Sequence, residues 1–300
     1  MPSLTPREVE RRLLELLAST IVDFKPVDAW VHNGDEVRLP FFTRASPDEV
    51  QRFETRLSLP QLGGARWLLR VDISGNGLLI IDGEPYQGVD EQHRLAVLEP
   101  GEREVVLEAT PRRLFGEAPW LFAFMGSCLT AVLWEGFNLA LSLLDALRLA
   151  HNRPELMRAL ARAAEEVEVT PSVAQVYALF RTLYGHLVPE SSPEYGGPRW
   201  DLAYVASVYG ERVLEGALDD TPRPSIREVV ETVERIKASL PRGSPVGKVY
   251  LFGHSHIDTA WLWPFSETRR KIVRTFSTII RLAKMGYHFT YVQSGAQNYK

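Results

Sequence analysis

The sequence is poor in the residues that several classes of protein require. It has one cysteine, Cys128, which cannot form an internal disulfide bond, so we expect a cytoplasmic protein. The first residues lack the apolar core of a signal peptide, and no stretch approaches the ~18 uninterrupted apolar residues of a membrane span. Acidic residues outnumber basic ones, 38 to 34. The sequence therefore predicts a protein with neither a membrane nor a nucleic-acid partner.

The patterns that are present divide the 300 residues into four segments. We expect a mixed α and β protein, since strand-like and helix-like periodicities alternate along the chain. Residues 23–48 show no regular pattern and are expected to be loop. The predicted domains are an N-terminal helix and loop (1–52), an antiparallel β-sandwich (53–134), a helical segment with a linker (135–245) and a βαβ unit (246–300).

Short strands separated by turn residues predict the β-sandwich. Residues 66–73 and 78–81 have strand composition, and Ser-Gly-Asn-Gly forms the turn between them. Asp82-Gly83 closes the second strand, and Asp-Gly is among the strongest hairpin signals. Such strands recur at intervals of roughly 8–12 residues, which is typical of a sandwich. Asp90 and His93 are interpreted as structural side chains of this segment rather than as ligands.

Capping motifs mark the starts of several helices. Thr5 with Glu8 and Ser225 with Glu228 have the spacing of a capping box. Thr170 before Pro171 predicts a third helix that begins at residue 171. A loop rich in Pro, Gly and Ser over residues 189–198 is expected to separate two helices.

The last segment has the order strand, helix, strand. Residues 248–253 and 288–292 are the predicted strands, and a helix begins near Ser266 and ends at Gly286. Since the whole unit spans about 45 residues, the two strands are expected to be parallel neighbours. The basic residues of the helix are expected to form a solvated face: Arg269, Arg270, Lys271 and Arg274. Charges at the helix start can also orient Glu267.

Two imidazoles and a carboxylate lie where the first of these strands ends. His254, His256 and Asp258 alternate along an extended chain, so their side chains can point to one side. The carboxyl ends of parallel strands are where functional groups collect, and imidazole with carboxylate is a good donor set for Zn²⁺. The alternative is a histidine pair whose hydrogen bonds are satisfied by backbone at a strand end. We favour a metal site.

The H-x-H-x-D pattern recurs in several folds of metal-dependent hydrolase, so the residues after it discriminate between them. A metallo-β-lactamase pattern requires a histidine directly after the aspartate, where this sequence has Thr259. Trp261 and Trp263 follow instead. Their rings are suited either to stacking on a sugar or to ordinary core packing.

Residues 249–299 resemble the α-mannosidases of glycoside hydrolase family 38, nearest the cytosolic, archaeal and bacterial branch. The resemblance rests on the H-x-H-x-D residues and on three further runs that follow them: Ala260-Trp261-Leu262-Trp263-Pro264, Glu267-Thr268-Arg269-Arg270-Lys271 and Gln293-Ser294-Gly295-Ala296-Gln297-Asn298-Tyr299.

The resemblance implies a role for four residues. His256 and Asp258 correspond to the first two ligands of a catalytic Zn²⁺, for which Co²⁺ can substitute. Trp261 corresponds to the aromatic ring that stacks on mannose, and His254 to a histidine that orients the site without binding the metal. The implied reaction is retaining hydrolysis of terminal α-mannosyl residues of oligosaccharides, in which one carboxylate attacks the anomeric carbon and another protonates the leaving oxygen.

The sequence departs from the family because both of these carboxylates are expected beyond residue 300. We therefore expect residues 246–300 to be the first βαβ unit of an incomplete α/β barrel, and the chain to be inactive alone. The chain is then either a fragment of a longer enzyme or one half of a split enzyme that a second polypeptide completes. The exposed face of the βαβ unit is then expected to be apolar, which leaves association into oligomers open. The alternatives are a non-catalytic carbohydrate-binding or assembly half, and another metal-dependent hydrolase with an H-x-H-x-D site.

Overall fold

The computed structural model describes residues 4–113, 116–184, 222–241, 243, 247–250 and 252–299. The loop predicted at 189–198 lies outside these residues. The chain divides into two compact units. The first comprises Met1–Lys25, Gln61–Leu68 and Leu129–Ser244, and the second comprises Pro26–Pro60, Leu69–Cys128 and Pro245–Lys300. The four-segment division at residues 52, 134 and 245 stays a prediction.

Helices dominate the first unit. In the described part of the chain the α-helices are α1 (Pro6–Ser19), α2 (Trp134–Leu149), α3 (Pro154–Glu165), α4 (Val173–Tyr184), α5 (Ile226–Ser239) and α6 (Phe265–Lys284), of which α6 belongs to the second unit. None of them is long and apolar enough to cross a membrane.

The helix starts are set by their capping residues. Both predicted capping boxes are confirmed, on α1 by Thr5 with Glu8 and on α5 by Ser225 with Glu228. The start predicted at residue 171 is wrong by two residues. Ser172 takes the capping role because its hydroxyl accepts a hydrogen bond from the Gln175 N–H at 3.2 Å.

Two sheets hold eleven of the strands in the described chain. Their bounds are β1 (Ile21–Pro26), β2 (Ala29–His32), β3 (Asp35–Arg38), β4 (Phe41–Arg44), β5 (Gln51–Leu59), β6 (Ala65–Ile73), β7 (Asn76–Ile81), β8 (Glu84–Asp90), β9 (Leu95–Leu98), β10 (Gly101–Thr110) and β11 (Leu121–Leu133). One sheet has the order β3-β2-β5-β10-β7-β8, and the other has the order β1-β11-β6-β9 with β4 paired to β11. The registers of the six-stranded sheet are antiparallel throughout, as is that of β4 with β11.

Aromatic side chains join the two sheets. The Phe53 ring on β5 lies 5.7 Å from the Phe122 ring and 5.3 Å from the Phe124 ring, both on β11. Trp30 on β2 contacts Phe124 at 5.1 Å. All four rings are essentially inaccessible to solvent. We call these two sheets the β-sandwich, and the prediction of a mixed α and β protein with antiparallel sheets is confirmed.

Two details of the β-sandwich differ from the sequence prediction. Residues 23–48, expected to be loop, contain most of β1 and all of β2 to β4. These strands are short and partly exposed, so their sequence lacks a sustained alternation of apolar residues. The turn after β6 leads into a different sheet, because β7 pairs with β8 and β10. The Asp82-Gly83 hairpin between β7 and β8 is confirmed, with φ of +52° and +83° at these residues.

The βαβ unit is present at the end of the chain. Strand β12 (Phe252–Ser255) pairs in parallel with β13 (Thr290–Gln293), and α6 connects them. Gly286 follows α6 with φ +91°, which confirms its role at the helix end. The first strand begins four residues later than predicted. Residues 247–250 form no regular structure, and the Val249 and Tyr250 side chains are exposed.

Helix α6 packs on the edge strand β8 of the β-sandwich. The Gly88 N–H donates a hydrogen bond to the Thr278 hydroxyl at 3.0 Å. A Cβ at Gly88 would lie 3.1 Å from the Cβ of Arg274, so the helix approaches the strand closely because residue 88 has no side chain. Arg281 donates a hydrogen bond to the Val97 carbonyl at 2.9 Å and lies over the Tyr86 ring.

Candidate active site at the end of β12

The two predicted metal ligands lie together directly after β12. The Nε2 atom of His256 is 3.0 Å from Oδ1 of Asp258, and both side chains are open to solvent. His254 lies within β12, in register with Val292 of β13, and is also exposed. The two-residue spacing thus brings His256 and Asp258 to one point. The positioning role of His254 stays a prediction.

The donor set at this point fits part of a zinc site. An imidazole nitrogen and a carboxylate oxygen are both ordinary zinc ligands, and an exposed pair leaves room for an ion and further donors. Among the described residues, no group of three or more His, Cys, Asp or Glu side chains could hold a metal. His256 and Asp258 therefore offer two of the three protein ligands that a catalytic zinc site usually has.

The loop that carries Trp261 is held by one threonine. We call residues 258–264 the Trp261 loop. The Thr268 hydroxyl accepts hydrogen bonds from the Ala260 N–H at 3.0 Å and from the Trp263 indole N–H at 3.2 Å. It lies 3.4 Å from the Asp258 carbonyl, to which it donates. Because Thr268 is buried in the first turns of α6, it ties the loop to the helix.

The two tryptophans of the loop have different environments. Trp263 is 8% exposed, with the Lys271 ammonium 4.2 Å from its ring centroid. Trp261 is 56% exposed and meets the Trp263 ring edge-on at 5.3 Å. The core-packing alternative therefore describes Trp263. Trp261 is largely open to solvent, and its ring contacts the buried Trp263 ring.

The basic run of α6 is only partly a solvated face, which corrects the sequence prediction. Arg269 is exposed as predicted, but Arg274 is buried. Glu267 is fully buried and accepts hydrogen bonds from Arg274 at 2.6 Å and from Arg270 at 2.8 Å. Arg274 is itself buried, because α6 turns this polar side toward β8. Burial raises the pKa of Glu267, but the charge and hydrogen bond of Arg274, aided by Arg270, outweigh it and hold the pKa below its ordinary value.

Asp90 and His93 form a turn rather than a ligand pair. The Asp90 carboxylate accepts hydrogen bonds from the backbone N–H groups of Gln92 and His93 and lies 3.0 Å from His93 Nδ1. The hydrogen bond to Asp90 raises the pKa of His93. These contacts are those of an Asx turn, as the structural interpretation predicted.

The part of the chain that contains this loop is similar to proteins of a known family. Residues 246–300 match the N-terminal domain of the glycosyl hydrolases of family 38. An α-mannosidase of Saccharomyces cerevisiae is 33% identical over 124 residues, which are 38% of this chain and 11% of the yeast protein. Alpha-mannosidase 2C1 of Mus musculus is 49% identical over 49 residues, 16% of this chain and 5% of the mouse protein.

The similarity to solved structures is much weaker. A β-glucuronidase 2 of Bacteroides uniformis matches 36% of this chain and 18% of that chain, with 15% identity and a TM-score of 0.30. A score of this size supports no argument about fold or function. The sequence relatives are informative, although this chain spans only about a tenth of their length or less. Together the family match and these relatives identify the chain as resembling the N-terminal portion of a glycoside hydrolase family 38 α-mannosidase.

Proposed function

We propose that this chain supplies the N-terminal part of a cytoplasmic, zinc-dependent α-mannosidase that hydrolyses terminal mannosyl residues of oligosaccharides. The observation that carries the proposal is the arrangement at the end of β12. His256 and Asp258 converge at 3.0 Å, and the exposed Trp261 lies in the same loop as Asp258. Both α-mannosidase relatives and the family match support mannose as the sugar.

The residues of this chain bind and orient rather than carry out bond cleavage. His256 and Asp258 would hold the metal through Nε2 and a carboxylate oxygen. Trp261 would stack on the apolar face of mannose, where its open ring offers contact area with little loss of side-chain entropy. A zinc ion bound here would supply positive charge that grips sugar hydroxyls and favours a distorted ring.

We propose that the carboxylates for nucleophilic attack and leaving-group protonation come from polypeptide that completes the barrel. The apolar side chains left open on the βαβ unit support this. Phe252 and Val292 on the two strands are 68% and 45% exposed, and Ile280 on α6 is 56% exposed. Parallel strands are normally covered on both faces, so further strands and helices account for these side chains.

The test is an assay on p-nitrophenyl α-mannoside with Zn²⁺ or Co²⁺, with the chain alone and with the polypeptide that completes the barrel. We expect no turnover by the chain alone. In the completed enzyme, His256→Ala or Asp258→Ala should abolish metal binding and turnover together, and His254→Ala should weaken both by ~10–100-fold. His288 is exposed and precedes β13, whereas the site follows the parallel strand β12. His288→Ala is therefore the matched control and should change neither.

Three results would contradict the proposal. Metal-dependent turnover by the chain alone would place the catalytic carboxylates within these 300 residues. Losses at His254 equal to those at His256 would contradict the ligand assignment. Mannoside binding without turnover in the completed enzyme would favour the non-catalytic carbohydrate-binding alternative.

A further inference from the structure

Arg112 of the β-sandwich reaches the Trp261 loop. This residue follows β10, and its guanidinium is almost fully buried. Its Nε and Nη2 atoms donate to the two carboxylate oxygens of Asp48, each at 2.9 Å. Its Nη1 atom donates to the carbonyls of Gly116 at 3.0 Å and Leu262 at 2.9 Å. Four donor contacts leave this guanidinium little rotational freedom.

The contact with Leu262 falls at the centre of the loop. Leu262 lies between Trp261 and Trp263, so fixing its carbonyl fixes the backbone that carries both rings. Thr268 anchors the same loop from α6 through Ala260 and the Trp263 indole. The loop is therefore held from two sides, by the helix that follows it and by a side chain 150 residues earlier in the sequence.

Gly116 adds a close approach at the same place. Its φ is +88°, and a Cβ built there would lie 2.7 Å from the Cβ of Leu262. The Trp263 ring carbon Cε3 would lie 3.4 Å away. Only a residue without a side chain lets this backbone lie against the loop, so the Arg112 hydrogen bonds and the Gly116 contact act on one stretch of chain.

We propose that Arg112 is a positioning residue for Trp261. Through Arg112 the β-sandwich fixes the place of the Trp261 ring, which would face the substrate. Asp48 orients Arg112, and Gly116 supplies the space. The significance for mannose binding rests on the proposed function, but the placement of the ring does not. The competing explanation is that the Asp48–Arg112 pair only stabilises the β-sandwich and leaves the Trp261 loop unaffected.

Fluorine NMR of the full chain labelled with 5-fluorotryptophan distinguishes the two explanations, since each of the seven tryptophans gives its own line. The variants Trp261→Phe and Trp263→Phe assign the loop lines, and Trp30→Phe assigns a buried line within the β-sandwich. Arg112→Lys keeps the charge and loses the planar fork. We expect it to shift or broaden the Trp261 and Trp263 lines beyond the line width while the Trp30 line stays in place.

The matched control is Arg113→Lys, the same substitution at the next residue. Arg113 is more exposed, and its ion pairs are with Glu91 and Glu117 rather than with the loop. All assigned lines should keep their positions in this variant. Unmoved Trp261 and Trp263 lines in folded Arg112→Lys would overturn the proposal.

A second pair of variants keeps the test decisive if Arg112→Lys does not fold. Gly116→Ala places a methyl group against Leu262, whereas Gly34→Ala has nearly the same φ, +89°, with nothing within 4 Å. Backbone strain is therefore matched, and only Gly116→Ala should move the loop lines. Equal spectra for the two variants would overturn the proposal. Neither measurement needs metal or sugar. The spectra are therefore independent of the mannosidase assay, and the proposal for Arg112 and the proposed function can fail separately.

Discussion

Replacing Glu267 by glutamine tests whether the ion pairs within α6 allow its polar side to be buried against the β-sandwich. The substitution keeps the shape of the side chain and one acceptor oxygen, but it leaves the buried Arg274 without its counter-charge. Breaking a buried pair by removing one partner costs about 3–5 kcal/mol. Arg270 is partly exposed and keeps Asp48 at 3.7 Å, so we expect the lower end, about 3 kcal/mol.

Native-state hydrogen exchange followed by mass spectrometry measures this effect locally. A loss of about 3 kcal/mol corresponds to amide exchange in α6 that is roughly 100-fold faster, since each 1.4 kcal/mol is tenfold. Amides of α1, in the other compact unit, should keep their rates. Glu231→Gln removes an exposed partner of Arg227 on α5 and serves as the control. Exchange in α6 of Glu267→Gln that matches the parent protein would refute the reasoning.

The same variant has a defined pH dependence. Because the folded-state pKa of Glu267 lies below its ordinary value, its ionisation stabilises the folded state at pH values above the unfolded pKa of about 4.3. This contribution is lost as the pH falls through the lower folded-state pKa. The protection difference between parent and Glu267→Gln should therefore shrink on acidification, and a constant difference would contradict the assigned charge.

Two further substitutions address the loop and the core. Thr268→Val removes the acceptor of the Trp263 indole N–H and should lower the free energy of unfolding, measured in urea, by about 1–3 kcal/mol. An unchanged urea midpoint would show that the hydroxyl does not hold the Trp261 loop. Phe53→Ala removes the ring that packs on Phe122 and Phe124 and should lower the free energy of unfolding by about 3–5 kcal/mol. The near-ultraviolet circular dichroism signal should then be lost at a lower urea concentration. A decrease below about 1 kcal/mol would mean that the two sheets do not share this core.

The sequence predicted the features that depend on neighbouring residues. The capping boxes of α1 and α5, the end of α6 at Gly286 and the parallel pairing of β12 with β13 follow from local spacing and chain length. The convergence of His256 with Asp258 is of the same kind, since alternate residues of an extended chain share a side.

The features that the sequence did not predict depend on contacts between distant segments. The run of basic residues on α6 has the composition of a solvated face, and only packing on β8 buries Arg274 with Glu267. Arg112 belongs to no motif, and its hydrogen bond to Leu262 spans 150 residues. Strands β2 to β4 are short and partly exposed, so pairing rather than periodicity defines them.

Helix α6 shows how the β-sandwich sets the geometry of the candidate site. Its polar side meets the β-sandwich through directional contacts, in which Thr278 accepts a hydrogen bond from Gly88 of β8 and Arg281 donates one to Val97 of β9. Hydrogen bonds require particular distances and angles, so these contacts restrict the rotation of the helix about its axis. On the same helix the Phe276 ring meets the Tyr291 ring of β13 edge-on at 6.2 Å, and β13 pairs with β12. Residues outside the matched range 246–300 thus contact the helix that directly follows the loop with His256, Asp258 and Trp261.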